Sequence, residues 1–425
     1  MIRFFSPSAK SIQHIIIPGT GKELLRRELC RAFAAAGCRV SEVSPTVPHD
    51  ASPEYLTRLA ELLDGAPALL FSVNFQGLNP LKAALELLER AGGPAAVAAV
   101  WCVDNPWNLL AGVRDPRWKA LPLFVTDPSF IAPLREHGAE RVFHLPLAAA
   151  PELFAQDPAR DARFPAPEGL APFVFVGRPA FPGKELFFAG QSVPKERMDE
   201  AGDMLSAGQR PDLNWWERAL DCTPGAFWPG KKARQPALGA EEANLLWRGL
   251  CLRSAAMAGK QSLGAVGEHG LSAVGALLPD AAGLHIFGGQ EWLPYLPPLV
   301  SAGARLHPPV DYYARLPGIY AKARFNICLT SLQLPKGLNQ RHFDIWMAGG
   351  LCLTDATPGL DLFPQELTRP ITFTRAQNIA AVAEQADAQR AALIADWQSH
   401  LLAGHTYAHR VQTVLETIDS PGSWG

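Results

Sequence analysis

Residues 330–355 read TSLQLPKGLNQRHFDIWMAGGLCLTD. The stretch follows one apolar run, Arg324–Leu329, and closes on another, Leu351–Leu353, that ends in Thr354-Asp355. Both runs are continuous rather than alternating, as strands covered on two faces are. Between them Pro335-Lys336-Gly337 reads as a loop and Leu338–Ala348 as a helix stopped by Gly349-Gly350. Two buried strands joined through a helix make a βαβ unit, and that unit builds a parallel sheet.

The same unit carries the best candidate chemistry. Asn339, Gln340 and Arg341 fall in the helix's first turn, where unpaired N–H groups and the positive dipole end favour an anion, phosphate foremost. Arg341 adds a forked donor and Lys336 adds charge in the loop. Asp344 comes one turn later, on the face of Gln340 and Arg341, where a carboxylate suits ribose hydroxyls. The plainer reading of these residues is a capped helix with a surface Arg–Asp pair.

Working outward, the first ~150 residues repeat the rhythm. Strands are expected at Ile15–Ile17, Ala68–Val73, Ala95–Val103, Leu121–Val125 and Arg141–Leu145, with helices at Lys22–Ala36, from Ser52, at Pro80–Ala91 and at Ser129–His137. Residues 151–172 are rich in Pro, Ala and Asp and read as a linker. Strand signals resume at Phe173–Val176 and Leu284–Phe287; a helix is expected at Glu241–Met257, residues 377–402 read as helical, and Tyr407–Ile418 as a last amphipathic helix. Residues 178–240, with Trp215-Trp216 and Trp228-Pro229-Gly230, read as an irregular insertion. Asn74, Asp104-Asn105, Thr126-Asp127, Gly288, Thr330-Ser331 and Asp355 follow strands. Open parallel sheets bind ligands at such carboxyl ends, although Asp and Asn are also ordinary turn formers.

Composition narrows the classes. The chain has 425 residues, 48% hydrophobic and 19% charged, which is globular and long enough for two to three domains. A net charge of -2 argues against a nucleic-acid partner. No apolar run approaches the ~18 residues of a membrane span, the longest being Ala95–Val103, and residues 1–17 lack a signal-peptide pattern. A cytoplasmic location is expected, with peripheral membrane contact left open. The seven cysteines include no CxxC and read as packed thiols in a reducing compartment, because a zinc site is expected to need close pairs. No metal is expected at His405 and His409, the one histidine pair at helical metal spacing. The sequence has no GxxxxGK[ST], GxSxG or HExxH, and the GTG at 19–21 falls short of GxGxxG. Asp311-Tyr312-Tyr313 and Thr126-Asp127-Pro128 are not DxD metal motifs.

Residues 307–363, HPPVDYYARLPGIYAKARFNICLTSLQLPKGLNQRHFDIWMAGGLCLTDATPGLDLF, and GHTYAHR at 404–410 resemble the CgeB-like (spore-maturation type) glycosyltransferases of the GT-B superfamily. FSVNFQGLNP, VWCVDNPW and FVTDPSFIAPLREHGAERVFHLPLA are similar in style to the acceptor-side domain of that group. The resemblance implies an α/β fold of two Rossmann-like doubly wound domains facing across a cleft: an acceptor-side domain at 1–165, a donor-nucleotide domain at 173–405 containing the insertion 178–240, and a helix at 406–420 crossing back to the first domain.

It also implies transfer of a sugar from a nucleotide-diphosphate donor, with no cofactor and no bound metal, to an unknown acceptor such as a surface polysaccharide, flagellin or another protein. Asn339 and Arg341 would then meet the diphosphate and Asp344 the ribose, with Lys336 adding charge and Gly288 and Thr330 letting the backbone approach the nucleotide. Many retaining relatives carry Glu eight residues before the ribose-binding acid; here that position is Lys336, so the stereochemical outcome stays open. If the reaction inverts, a general base is needed, and Asp104 and Asp127 are the candidates. The rival readings are a non-catalytic nucleotide-sugar-binding scaffold with this fold and a sugar-nucleotide epimerase.

Overall fold

The structure is a computed structural model that describes residues 12–19, 25–44, 52–63, 66–92, 96–113, 115–181, 183–222, 235–269 and 282–419. Thr20-Gly21 and Trp228-Pro229-Gly230 lie outside the described residues. The chain divides into two compact units. One holds residues up to Ala148 together with the segment from Gly404 onward, and the other runs from Ala149 to Ala403. The Pro-rich stretch, expected as a linker, holds short helices at Pro151–Phe154 and Pro158–Arg163, the second capped by Asp157.

The first unit is built on a six-stranded sheet in the order β2-β1-β3-β4-β5-β6. Its strands are β1 (His14–Pro18), β2 (Arg39–Val43), β3 (Ala68–Val73), β4 (Ala96–Cys102), β5 (Pro122–Val125) and β6 (Arg141–His144), and every neighbouring pair is parallel. β1, β3 and β5 are buried almost throughout, which is why they read as uninterrupted apolar runs. Phe33, Phe71, Trp101 and Phe124 form the aromatic centre, with Phe33 edge-on to Phe71 at 5.5 Å. The helix Pro53–Leu62 starts as its sequence dictates: Ser52 Oγ accepts from Tyr55 N–H and Pro53 occupies the first position.

The last helix, Tyr407–Asp419, belongs to this unit and packs on Arg26–Ala35. The GHTYAHR motif explains its attachment. Tyr407 meets Trp101 edge-on at 6.3 Å. Arg410 is buried and donates to the carbonyls of Pro146 (2.8 Å), Leu147 (3.2 Å) and Gly404 (3.2 Å). Burial pulls its pKa down to about 10. His405 Nδ1 pairs with Arg410 and His409 Nδ1 with Thr406, so both rings serve the turn. Arg410→Ala strips three carbonyls of a charged donor and is expected to lower stability by roughly 2–4 kcal/mol, read from the urea midpoint.

The second unit carries another six-stranded parallel sheet, in the order β12-β11-β10-β7-β8-β9. These strands are β7 (Phe173–Val176), β8 (Leu284–Phe287), β9 (Ala304–His307), β10 (Phe325–Cys328), β11 (Cys352–Asp355) and β12 (Thr372–Phe373). The insertion is more regular than its composition indicates, with helices at Lys184–Phe187, Lys195–Ala207 and Leu213–Ala219, then the long helix Gln235–His269. The helical stretch expected at 377–402 is two helices, Ile379–Asp387 and Arg390–Gly404. Trp346 and Trp397 stack in the core, 5.0 Å apart and nearly coplanar. Among the described residues, no helix is long and apolar enough to cross a membrane.

Candidate functional site

In the second unit the chain runs from β7 outward through β8 and β9, then returns to β10 on the other side of β7. The loops leaving β7 and β10 therefore diverge, and the gap between them is the topological switch point where open α/β sheets bind ligands. Gly177 follows β7 there, and residues 329–339 link β10 to the helix Gln340–Met347.

Arg341 occupies this point. Its guanidinium donates to the carbonyl of Val176, which ends β7, and to that of Leu329, just past β10, at 3.4 Å. It lies over the Phe175 ring, 5.2 Å from the centroid. Two hydrogen bonds engage two of its five N–H donors. Gly177 makes room for it: a Cβ at 177 would meet Arg341 Nη1 at 2.1 Å, and φ is +153°. The N-cap is Asn339, yet no side chain caps the helix. Asn339 instead spans back to the strand, donating to Leu329 O at 2.7 Å and accepting from Cys328 Sγ at 3.1 Å. The first-turn amides thus have no side-chain cap beside a fixed cation, and anions favour that combination.

The other expected donor residues fare differently. Lys336 is exposed in the loop. Asp344 is fully buried, and its carboxylate accepts from Gln340 Nε2 at 2.7 Å and from the Tyr312 hydroxyl. Thr330 is buried, and both its amide (2.8 Å) and its hydroxyl (3.0 Å) are donated to Asp355. Gly288 is required by packing, since a Cβ would meet the Trp292 indole nitrogen at 2.5 Å, and that nitrogen donates to Gly177 O at 2.8 Å. Thr330 and Gly288 thus both help to fix the strand ends.

Two buried networks escaped the sequence reading. Glu241, on the long helix, accepts from Gln333 Nε2 (2.9 Å), Asn244 Nδ2 (3.1 Å) and Phe181 N–H (3.1 Å), while Asn244 Oδ1 accepts from Leu332 N–H at 2.7 Å. This fixes the loop after β10. Asp355 pairs with Arg210 at 2.6 Å and accepts from Trp247 Nε1 at 3.1 Å, so the end of β11 is anchored to the insertion. Apart from Glu241 and Asn244, three positions apart on one helix, the partners lie 25 to 145 positions apart, and no local pattern signals them.

In the first unit, Asn74 ends β3 in the left-handed region (φ 53°), and its side chain bridges to the end of β4. Oδ1 accepts from Val103 N–H at 2.9 Å and Nδ2 donates to Asp104 at 2.7 Å. Asp104 reaches solvent, yet crowding by surrounding protein raises its pKa, outweighing the Asn74 hydrogen bond. Asp127, the other candidate base, lies two positions after β5. It is buried, and its Oδ1 accepts from Ser129 N–H (2.8 Å) and Oγ (2.6 Å), capping the turn Pro128–Phe130.

A family model described as "Glycosyl transferase-like" matches residues 270–416. Sucrose-phosphate synthase from Thermosynechococcus elongatus is similar in structure at 13% identity, with 96% of this chain and 99% of that chain covered and a TM-score of 0.51. OtsA in its apo form is similar at 10% identity, covering 96% and 99%, with a TM-score of 0.51. The structure of Anabaena Alr3699/HepE with UDP and glucose aligns at 10% identity over 96% and 100%, with a TM-score of 0.48. No curated protein matches the chain. The fold is that of GT-B glycosyltransferase structures: two Rossmann-like α/β domains with parallel sheets.

Proposed function

We propose that this chain is a CgeB-like glycosyltransferase that moves a sugar from a nucleotide-diphosphate donor to a glycan or protein acceptor, in the cytoplasm and without a catalytic metal. The observation that carries the reading is Arg341, held between the ends of β7 and β10 on a helix whose amino end has no side-chain cap. A glycosyl transfer expels a diphosphate, so its main electrostatic demand is fixed positive charge where that anion develops. Arg341 and the first-turn amides meet the demand, and Lys336 adds charge from the loop. The glycosyl transferase-like match over 270–416 spans these residues, and the solved structure from Thermosynechococcus elongatus that shares this fold is named a sucrose-phosphate synthase.

Asp344, being buried, acts as a positioning residue for Gln340 and Tyr312. Asp104 is the base for an inverting reaction, taking the acceptor hydroxyl proton. Its raised pKa makes it a stronger base once ionised. The raised pKa means that its charged form is lost at a higher pH than for an ordinary aspartate, so turnover should fall as pH drops through that raised value. Asp104→Asn should abolish turnover while leaving donor binding intact; full activity in the variant removes Asp104 from the site.

The reading is tested by following nucleoside diphosphate release from a panel of nucleotide-diphosphate sugars, with and without bacterial surface glycans as acceptors. Acceptor-dependent release supports transfer. Conversion of the donor to another nucleotide sugar identifies an epimerase instead, and donor binding with no conversion identifies a non-catalytic scaffold.

A further inference from the structure

We propose that Cys328, Cys352 and His342 form a structural site for a zinc-class divalent cation inside the second unit. Cys328 ends β10 and Cys352 begins β11. Asn326 pairs with Cys352 and Cys328 with Thr354, so the cysteines are diagonal neighbours on one face of adjacent strands. His342 comes from the first turn of the helix Gln340–Met347. The two Sγ atoms and an imidazole nitrogen all lie within 4.8 Å of one another, so some point is at most about 2.8 Å from all three. Zinc bonds of about 2.3 Å to sulfur and 2.0–2.1 Å to nitrogen need only a small contraction from there.

The surroundings favour a metal over packed thiols. All three side chains are fully buried. Both ring nitrogens of His342 lack a hydrogen-bond partner, although a buried imidazole ordinarily has one. The ring is clamped, stacked on Phe363 at 5.5 Å and edge-on to Trp397 at 5.1 Å, so it has no room to turn elsewhere. A divalent cation would take the lone pair of one nitrogen and two thiolates, releasing two protons to solvent. The resulting cluster is neutral, which its burial demands. Asn339 Oδ1 accepts from Cys328 Sγ at 3.1 Å and would lose that proton donor on metal binding. A Cys328–Cys352 disulfide would leave His342 unsatisfied, and the cysteines are free thiols. A site of this kind needs no close cysteine pair in the sequence, because neighbouring parallel strands bring together residues far apart in sequence. Such a cation would tie β10, β11 and the helix start into one rigid corner, and it stands independently of any glycosyl transfer.

The full chain, expressed in zinc-supplemented medium and purified without chelator, should carry about one zinc per chain by elemental mass spectrometry. Cys352→Ala should lose it, while Cys251→Ala, a buried thiol outside the cluster, should keep it. Because Cys352→Ala also touches the core, a second measurement uses wild-type protein stripped of metal and titrated with cobalt(II). A sulfur-to-cobalt charge-transfer band saturating at one equivalent, with a rise in melting temperature, is expected. Negligible zinc together with no cobalt band overturns the proposal. So does full metal content in Cys352→Ala, or a purified chain lighter by two hydrogens, which would mark a disulfide.

Discussion

Replacing Arg341 with alanine should weaken binding of the cognate nucleoside diphosphate roughly 100-fold, which is about 2.7 kcal/mol. The loss exceeds that of one surface charge because the guanidinium is held in place. Its bonds to Val176 O and Leu329 O and its seat over Phe175 set its position before ligand arrives. Preorganised donors act on an anion without first being ordered. Arg341→Lys keeps the charge but not the fork, and should recover only part of the affinity. Isothermal calorimetry reads both variants, with circular dichroism confirming that each stays folded. An unchanged dissociation constant in a folded Arg341→Ala protein would remove this residue from the donor site.

The second large effect is on stability. Asp355→Ala should lower the free energy of unfolding by about 3–5 kcal/mol, because breaking a buried ion pair from one side strands its partner. Here the stranded group is Arg210, with 16% side-chain exposure. Thr330 N–H, its hydroxyl and Trp247 Nε1 lose their acceptor in the same step. Adding Arg210→Met should restore part of the loss, since the uncompensated charge is then gone. Urea unfolding of the single and double variants measures both terms. A single variant within about 1 kcal/mol of wild type would show that the pair contributes little.

The strands that the sequence made legible are mostly those buried in the sheets. Ala68–Val73 and Leu284–Phe287 have their expected limits because both are buried and mostly apolar, with Ser72 and His285 the only polar members. β2, β9 and β12 escaped for the opposite reason. Each is at a sheet edge, β2 reads RVSEV with most residues partly exposed, and β12 is only two residues long. The motif 330–355 gave the helix and its amino end, and helical spacing correctly put Gln340 beside Asp344. Helical spacing carries no information on Tyr312, which approaches from another segment and closes Asp344 off from solvent. Asp127 shows the same limit. An acid after a strand is compatible with base chemistry and with capping, and Ser129 two positions on supplies the amide and hydroxyl of the cap.

The central claim, a nucleotide-diphosphate site at the amino end of Gln340–Met347, is tested most directly by a thermal-shift panel. The panel covers nucleoside diphosphates and their sugar conjugates, with and without added divalent metal. The account predicts that one diphosphate and its conjugates stabilise the wild-type chain regardless of metal, by about 2.7 kcal/mol at 100 times the dissociation constant. It predicts no such shift in Arg341→Ala. A panel in which no diphosphate raises the melting temperature, or in which Arg341→Ala responds as the wild type does, would contradict it.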